Sequence, residues 1–172
     1  TAAEAPKKAK KGDVNDKINI GFIGLGQQAI HLVNGFLTIP EVRVIAGCDI
    51  YDIKRDRFVE RVNKYYAEKG IKNKLDMYIK YEDLLAREDI DAVVIATPDH
   101  WHAAIAIAAC KAGKDVYLEK PLTFTVYEGQ RLIEAVRANN RILQVGSMQR
   151  SMAEFIHAAN VVREGKLGKI ST

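Results

Sequence analysis

Only two cysteines occur among the 172 residues, Cys48 and Cys110, and both sit inside apolar stretches, VIAGC and AIAIAAC. Neither their number nor their spacing suits a metal site or a disulfide framework. Both therefore read as small core residues, and no metal is expected. No apolar run reaches the roughly 18 to 20 residues of a membrane span, and the chain has no internal repeat. The body of the chain also lacks a net charge of either sign. Of the formal +4, Lys7, Lys8, Lys10 and Lys11 against Glu4 place +3 in residues 1–11 and leave +1 for the rest. Nucleic-acid binding needs basic residues gathered on a folded face, so no such partner is expected.

What is present suits one α/β domain: the length is that of a typical domain, and 48% hydrophobic residues can fill a sizeable core. Residues 1–17 have almost nothing to bury and are expected to form a disordered basic tail or linker. The sequence begins with Thr1 instead of Met, as a linker behind a cleaved export signal would. On that ground an exported, periplasmic location is favoured over a cytoplasmic one.

From Ile18 onward, short apolar runs alternate with stretches of helical spacing. The runs are INIGFIG, Val42–Cys48, a weaker one at Met77–Ile79, Asp91–Thr97, Lys114–Lys120 and Arg141–Gly146. Helices are expected near Gln27–Leu37, Lys54–Lys69, Tyr81–Ala86, His102–Ala112, Val126–Asn139 and Ala153–Glu164. Continuous apolar runs, without two-residue alternation, indicate strands covered on both faces. The expected fold is a doubly wound, mostly parallel sheet of the Rossmann type over residues 18–150. Residues 151–172 are expected to be a linker helix and the start of a further domain, with a new strand beginning at the last residues.

Chemistry gathers where strands meet helices. The first turn reads Gly24-x-Gly26-x-x-Ala29 between an expected strand and an expected helix. Gly24 permits the tight turn, Gly26 lets a pyrophosphate approach the backbone, and Ala29 allows close packing of helix on strand. Gln27 and Gln28 open the helix, whose free N–H groups suit phosphate, and they join the candidate cofactor set. Asp49 ends the second strand 23 residues after Gly26, where a carboxylate can take both ribose hydroxyls and repel a 2′-phosphate. NAD is therefore favoured over NADP, with Lys54, Arg55 and Arg57 as the possible counter-argument. The fourth strand ends in Thr97-Pro98-Asp99-His100-Trp101-His102. His100 reads as a surface residue; His102, one turn into the helix, is expected to be functional. The fifth strand ends in Glu119-Lys120-Pro121. A lysine at the mouth of an apolar cleft can be a base or proton relay when desolvated, and a cis bond before Pro121 is open to proline.

These motifs, GFIGLGxxA, Cys48-Asp49, ATPDHWH, AGKDVYLEKPL and QVGSMQRS at Gln144–Ser151, resemble the N-terminal domain of the Gfo/Idh/MocA family of glucose-fructose oxidoreductases and inositol dehydrogenases. The resemblance runs from about Lys17 to the C-terminus and implies several roles. Lys120 would be the catalytic residue between nicotinamide and substrate. Glu119 would contact the nicotinamide ribose and Pro121 would shape the turn. Thr97, Pro98 and His102 would line the cofactor, and Gln149 and Arg150 would border nicotinamide and substrate. It further implies a second α/β domain, absent from this chain, that forms the substrate pocket, carries the remaining catalytic residues and mediates homo-oligomerisation. Residues 1–172 alone are thus expected to bind cofactor without turnover. The implied function is hydride transfer between NAD and a secondary alcohol of a sugar or cyclitol. Alternatives are an NAD-dependent glycosidase or lyase that oxidises its substrate transiently, and a non-catalytic dinucleotide-binding module.

Overall fold

A computed structural model describes residues 17–169. Most of the expected basic tail and the expected new strand at the very end lie outside the described residues. Six strands form one parallel sheet in the order β3-β2-β1-β4-β5-β6. They are β1 (Ile18–Ile23), β2 (Val42–Cys48), β3 (Asp76–Tyr78), β4 (Ala92–Ile95), β5 (Asp115–Glu119) and β6 (Leu143–Gly146). The helices are α1 (Gln27–Leu37), α2 (Asp52–Glu68), α3 (Tyr81–Leu85), α4 (His102–Lys111), α5 (Val126–Ala138) and α6 (Ala153–Arg163). The doubly wound Rossmann architecture expected from the sequence is therefore the one observed.

The continuous apolar runs have a direct explanation in the two cores. Neighbouring strand residues point to opposite faces, so Val44 and Val94 join one core while Ile45, Val93 and Ile95 join the other. The first core is closed by Ala29 and Val33 of α1 and by Phe58 and Val62 of α2. The second is closed by Leu84 and Leu85 of α3, by Ile105, Ala106 and Ala109 of α4, and by Leu132 of α5. Neither face of the central strands is wet, and burial at roughly 25 cal/mol per Å² of apolar surface stabilises both layers. Helix α4 lies deep because small residues on its inner side, Ala103, Ala106 and Ala109, let its backbone approach the sheet.

Element boundaries move by up to two residues from the expected ones. Strand β6 starts at Leu143, later than Arg141, because Asn140 turns the chain with φ 51° and the Arg141 N–H donates to the Val136 carbonyl at the end of α5. Lys114, expected to open β5, precedes it and is buried; its Nζ donates to the carbonyls of Arg87 and Ile90, latching the α4–β5 turn to the loop before β4. Helix α6 has no buried residue. Among the described residues no helix is long and apolar enough to cross a membrane.

Both cysteines are buried with free thiols. Burial above all, then the negative charge of neighbouring Asp49, pushes the Cys48 thiol up from 9.0 to about 12. The protonated thiol thus contributes stability that is complete below pH 9.0 and is lost as pH rises towards about 12. Thermal melts at about pH 8 and about pH 11 are expected to show a smaller alkaline loss in Cys48→Ala than in the unmodified protein. Equal losses would remove Cys48 from the alkaline transition.

Candidate functional site

In this strand order the chain reverses direction across the sheet between β1 and β4, and open α/β sheets bind ligands outside the carboxyl ends of the strands at that point. A cleft of about 420 Å³ lies there, walled by residues that follow β1, β2, β3 and β4. The turn after β1 forms its floor. Gly24 has φ 82°, and a Cβ at this residue would lie 2.7 Å from the Thr97 backbone nitrogen, so the turn rests directly on the end of β4. Gly26 differs: a Cβ there would meet nothing within 4 Å. It faces open space in front of α1, whose first turn has neither a side-chain cap nor an acidic residue.

Asp49 at the end of β2 is 9% exposed and already holds two backbone groups. Its Oδ2 accepts from the Leu25 N–H at 2.8 Å and its Oδ1 from the Tyr51 N–H at 3.0 Å. A carboxylate has about four acceptor sites, so capacity remains for hydroxyl donors. Lys54 is the one cleft-lining cation among the three basic residues that follow; its Nζ lies 3.8 Å from Asp49 Oδ2 and 4.5 Å above the Tyr51 ring. Arg55 is committed to the Asp49 carbonyl at 2.6 Å and to Asp52, and Arg57 donates to the Leu25 carbonyl at 3.0 Å.

The other end of the site is built from the turns after β4 and β5. Glu119 is 5% exposed. Its Oε1 accepts from Gln28 Nε2 at 2.9 Å, tying α1 to the β5 turn, and its Oε2 accepts from the Lys120 N–H at 3.1 Å. Gly146 packs closely opposite it, since a Cβ there would come within 2.8 Å of Glu119 Oε1 and push that carboxylate aside. The Lys120–Pro121 peptide is cis. The Lys120 side chain is exposed, so nothing among the described residues supplies the desolvation expected around its amine. Gln149 and Arg150 lie on an exposed 3₁₀ turn, Met148–Ser151, beyond β6. Gln27 is exposed at the start of α1.

His102 departs from its expected place. Instead of lining the cofactor cleft it is 1% exposed, with Nδ1 2.6 Å from the Pro121 carbonyl and Nε2 3.0 Å from the Thr97 carbonyl. The β5 turn folds back over the start of α4 and seals the ring behind the wall it was expected to form. His100 is exposed, as expected, with Nδ1 3.7 Å from an Asp99 oxygen.

Several wall residues were not foreseen: Tyr51, Ile79, Tyr81 and Trp101 all line the cleft. The available signal was an apolar side chain placed just beyond a strand's carboxyl end, as in Asp49-Ile50-Tyr51 and Tyr78-Ile79. Ile50, Tyr51 and Ile79 are 69%, 56% and 60% exposed, so no core accounts for them.

The chemistry of these groups fits a dinucleotide. Gly26 leaves space at an uncapped helix N-terminus, where N–H groups and the helix dipole favour phosphate. Thr97 Oγ1 is buried at the cleft without a hydrogen-bond partner among the described residues, a cost that a polar ligand atom would offset.

Comparison with known proteins gives the same picture. The chain is 32% identical over 157 residues to a glycosyl hydrolase family 109 protein of Shewanella baltica, covering 90% of this chain and 34% of that protein. It thus spans about a third of the length of such relatives. Scyllo-inositol dehydrogenase from Lactobacillus casei, solved with NAD(H) and scyllo-inositol, superposes with a TM-score of 0.71 at 27% identity over 90% of this chain and 43% of its own. A 3-ketoreductase from Actinomadura kijaniata, in complex with NADP and TDP-benzene, gives a TM-score of 0.75 at 27% identity over 87% of this chain and 43% of its own. Residues 18–147 match the Gfo/Idh/MocA oxidoreductase family with its NAD-binding Rossmann fold, and by that match the chain belongs to this family.

Proposed function

We propose that this chain is the cofactor-binding part of an oxidoreductase that passes hydride between NAD and a secondary alcohol of a sugar or cyclitol. The observation that carries the reading is the convergence of three turns on one sheet edge: the uncapped glycine turn, the Asp49 rim, and the Glu119-Lys120-Pro121 turn tied to the first through Gln28. When bound, NAD supplies the hydride acceptor. The chain's own groups would bind and orient it. N–H groups of Gly26, Gln27 and Gln28 take the pyrophosphate, Asp49 the adenosine ribose, and Glu119 the nicotinamide ribose. Thr97 and Pro98 line the nicotinamide end, and Pro121 sets the turn that presents Lys120. Lys120 would accept the hydroxyl proton as the alcohol is oxidised, and Gln149 and Arg150 would border the substrate.

The similarity to the inositol dehydrogenase, solved with scyllo-inositol, favours a polyol substrate. The test is to incubate full-length protein and NAD with a panel of inositols and hexoses and follow NADH absorbance. Accumulation of NADH with one of them is expected; NAD binding without redox activity on any would favour the non-catalytic module. The glycosyl hydrolase name borne by relatives at 32% identity supports a second reading, cleavage through transient oxidation. Release of nitrophenol from aryl glycosides without net NADH would select it.

Cofactor choice rests on Asp49. Because Arg55 and Arg57 are held by backbone carbonyls, Lys54 is the one of these three cations left to offset the carboxylate that a 2′-phosphate would meet. Asp49→Ser is expected to shift the ratio of NADP to NAD affinity by about tenfold or more, since like charges a few ångströms apart cost about 1 to 4 kcal/mol. Calorimetric titration with both dinucleotides reads that ratio; an unchanged value would remove Asp49 from cofactor choice.

A further inference from the structure

The geometry points to His102 as a positioning residue that fixes the Lys120 turn against the nicotinamide end of the cleft. The inference rests on the role proposed for Lys120. His102 is the first residue of α4 and is 1% exposed, yet neither ring nitrogen is idle. Nδ1 reaches the Pro121 carbonyl at 2.6 Å and Nε2 the Thr97 carbonyl at 3.0 Å. One ring therefore spans the two turns proposed to face the nicotinamide. Thr97 carries the unpartnered hydroxyl, and Pro121 directly follows Lys120. Lys120 has no side-chain hydrogen bond among the described residues that would hold its amine in place. Its position is inherited from the backbone of its turn.

Both partners are carbonyl oxygens, which only accept, so the ring must donate to them. A neutral imidazole has one N–H and satisfies one carbonyl at a time; an imidazolium satisfies both. Either way, removing the ring takes the donor away from the Pro121 and Thr97 carbonyls and releases the β5 turn from β4. Misplacing a reacting group by about 1 Å can cost on the order of 100-fold in rate. The adenosine half is held by other residues, Asp49, Gly26 and the α1 N-terminus, and should not sense the change.

The experiment compares full-length wild type, His102→Ala, His102→Gln and Lys120→Ala. Turnover is measured on the most active inositol or hexose of the panel above, and binding with NAD and with ADP, which lacks both the nicotinamide and its ribose. His102→Ala is expected to lower kcat about 100-fold, while ADP affinity stays within about threefold, less than one hydrogen bond's worth. His102→Gln, whose amide N–H can reach one carbonyl, is expected to recover about tenfold of the lost rate, the equivalent of one restored hydrogen bond. A folded His102→Ala with wild-type kcat, or a kcat loss matched by equal loss of ADP affinity, would overturn the positioning role. If the alanine variant does not fold, the wild type decides. The His102 ring N–H seen by NMR must exchange slowly with solvent, and fast exchange overturns the inference. Wild-type turnover in Lys120→Ala would sink the Lys120 reading instead, which keeps the two failures apart.

Discussion

Lys120→Ala in the full-length protein is expected to lower kcat by about 10² to 10⁴-fold, the usual contribution of a positioned acid–base group, with NAD affinity nearly unchanged. The asymmetry follows from where the residue sits. Its backbone N–H is held by Glu119 Oε2, while its amine projects from the turn without a hydrogen-bond partner among the described residues. Truncation at Cβ leaves that backbone contact and the Gln28–Glu119 tie intact. The loss should therefore fall on proton transfer and not on cofactor binding. Steady-state kinetics and calorimetry on the same preparation separate the two. Full turnover would end the assignment; lost NAD binding would make Lys120 a cofactor ligand.

Gly24→Ala and Gly26→Ala are expected to fail for opposite reasons. At Gly24, φ is 82° and the added Cβ would lie 2.7 Å from the Thr97 nitrogen and 2.8 Å from the Ala96 carbonyl carbon, both backbone atoms that cannot step aside. A left-handed non-glycine residue costs about 1 to 3 kcal/mol before any clash, so a drop in stability of more than about 2 kcal/mol is expected, with NAD binding lost as the turn lifts off β4. At Gly26, φ is −67° and the Cβ meets nothing within 4 Å. That variant should fold within about 0.5 kcal/mol of wild type and lose NAD affinity because the methyl group occupies the space kept for pyrophosphate. Urea denaturation and NAD titration of both variants check this. A Gly26→Ala protein that binds NAD normally would show that the phosphate lies elsewhere.

The sheet was legible because strands buried on both faces must be apolar at every residue, as Val93, Val94 and Ile95 are. The first turn was legible as a strand-to-helix turn because Gly24 and Gly26 have local reasons, whereas the roles expected of Glu119 and Lys120 came from resemblance to a family. Properties set by register and by packing between distant loops could not be read. Asp49 reaching the Leu25 N–H depends on how β1 pairs with β2. The burial of His102 depends on the β5 turn folding back over α4. Lys54, Arg55 and Arg57 look alike in sequence, yet carbonyls on other segments hold the two arginines and leave the lysine at the cleft. The apolar wall of Tyr51, Ile79 and Trp101 comes from three separate loops.

The Asp49 carboxylate that would recognise the ribose also clamps the Leu25 N–H of the phosphate turn. A lineage drifting from NAD toward NADP could not discard the acid in one step without loosening that turn. Either a new acceptor for Leu25 must arise first, or the acid must stay while cations gather around it. Directed evolution of cofactor preference at this rim should therefore yield coupled substitutions, with the first neutral or beneficial only in the presence of the second.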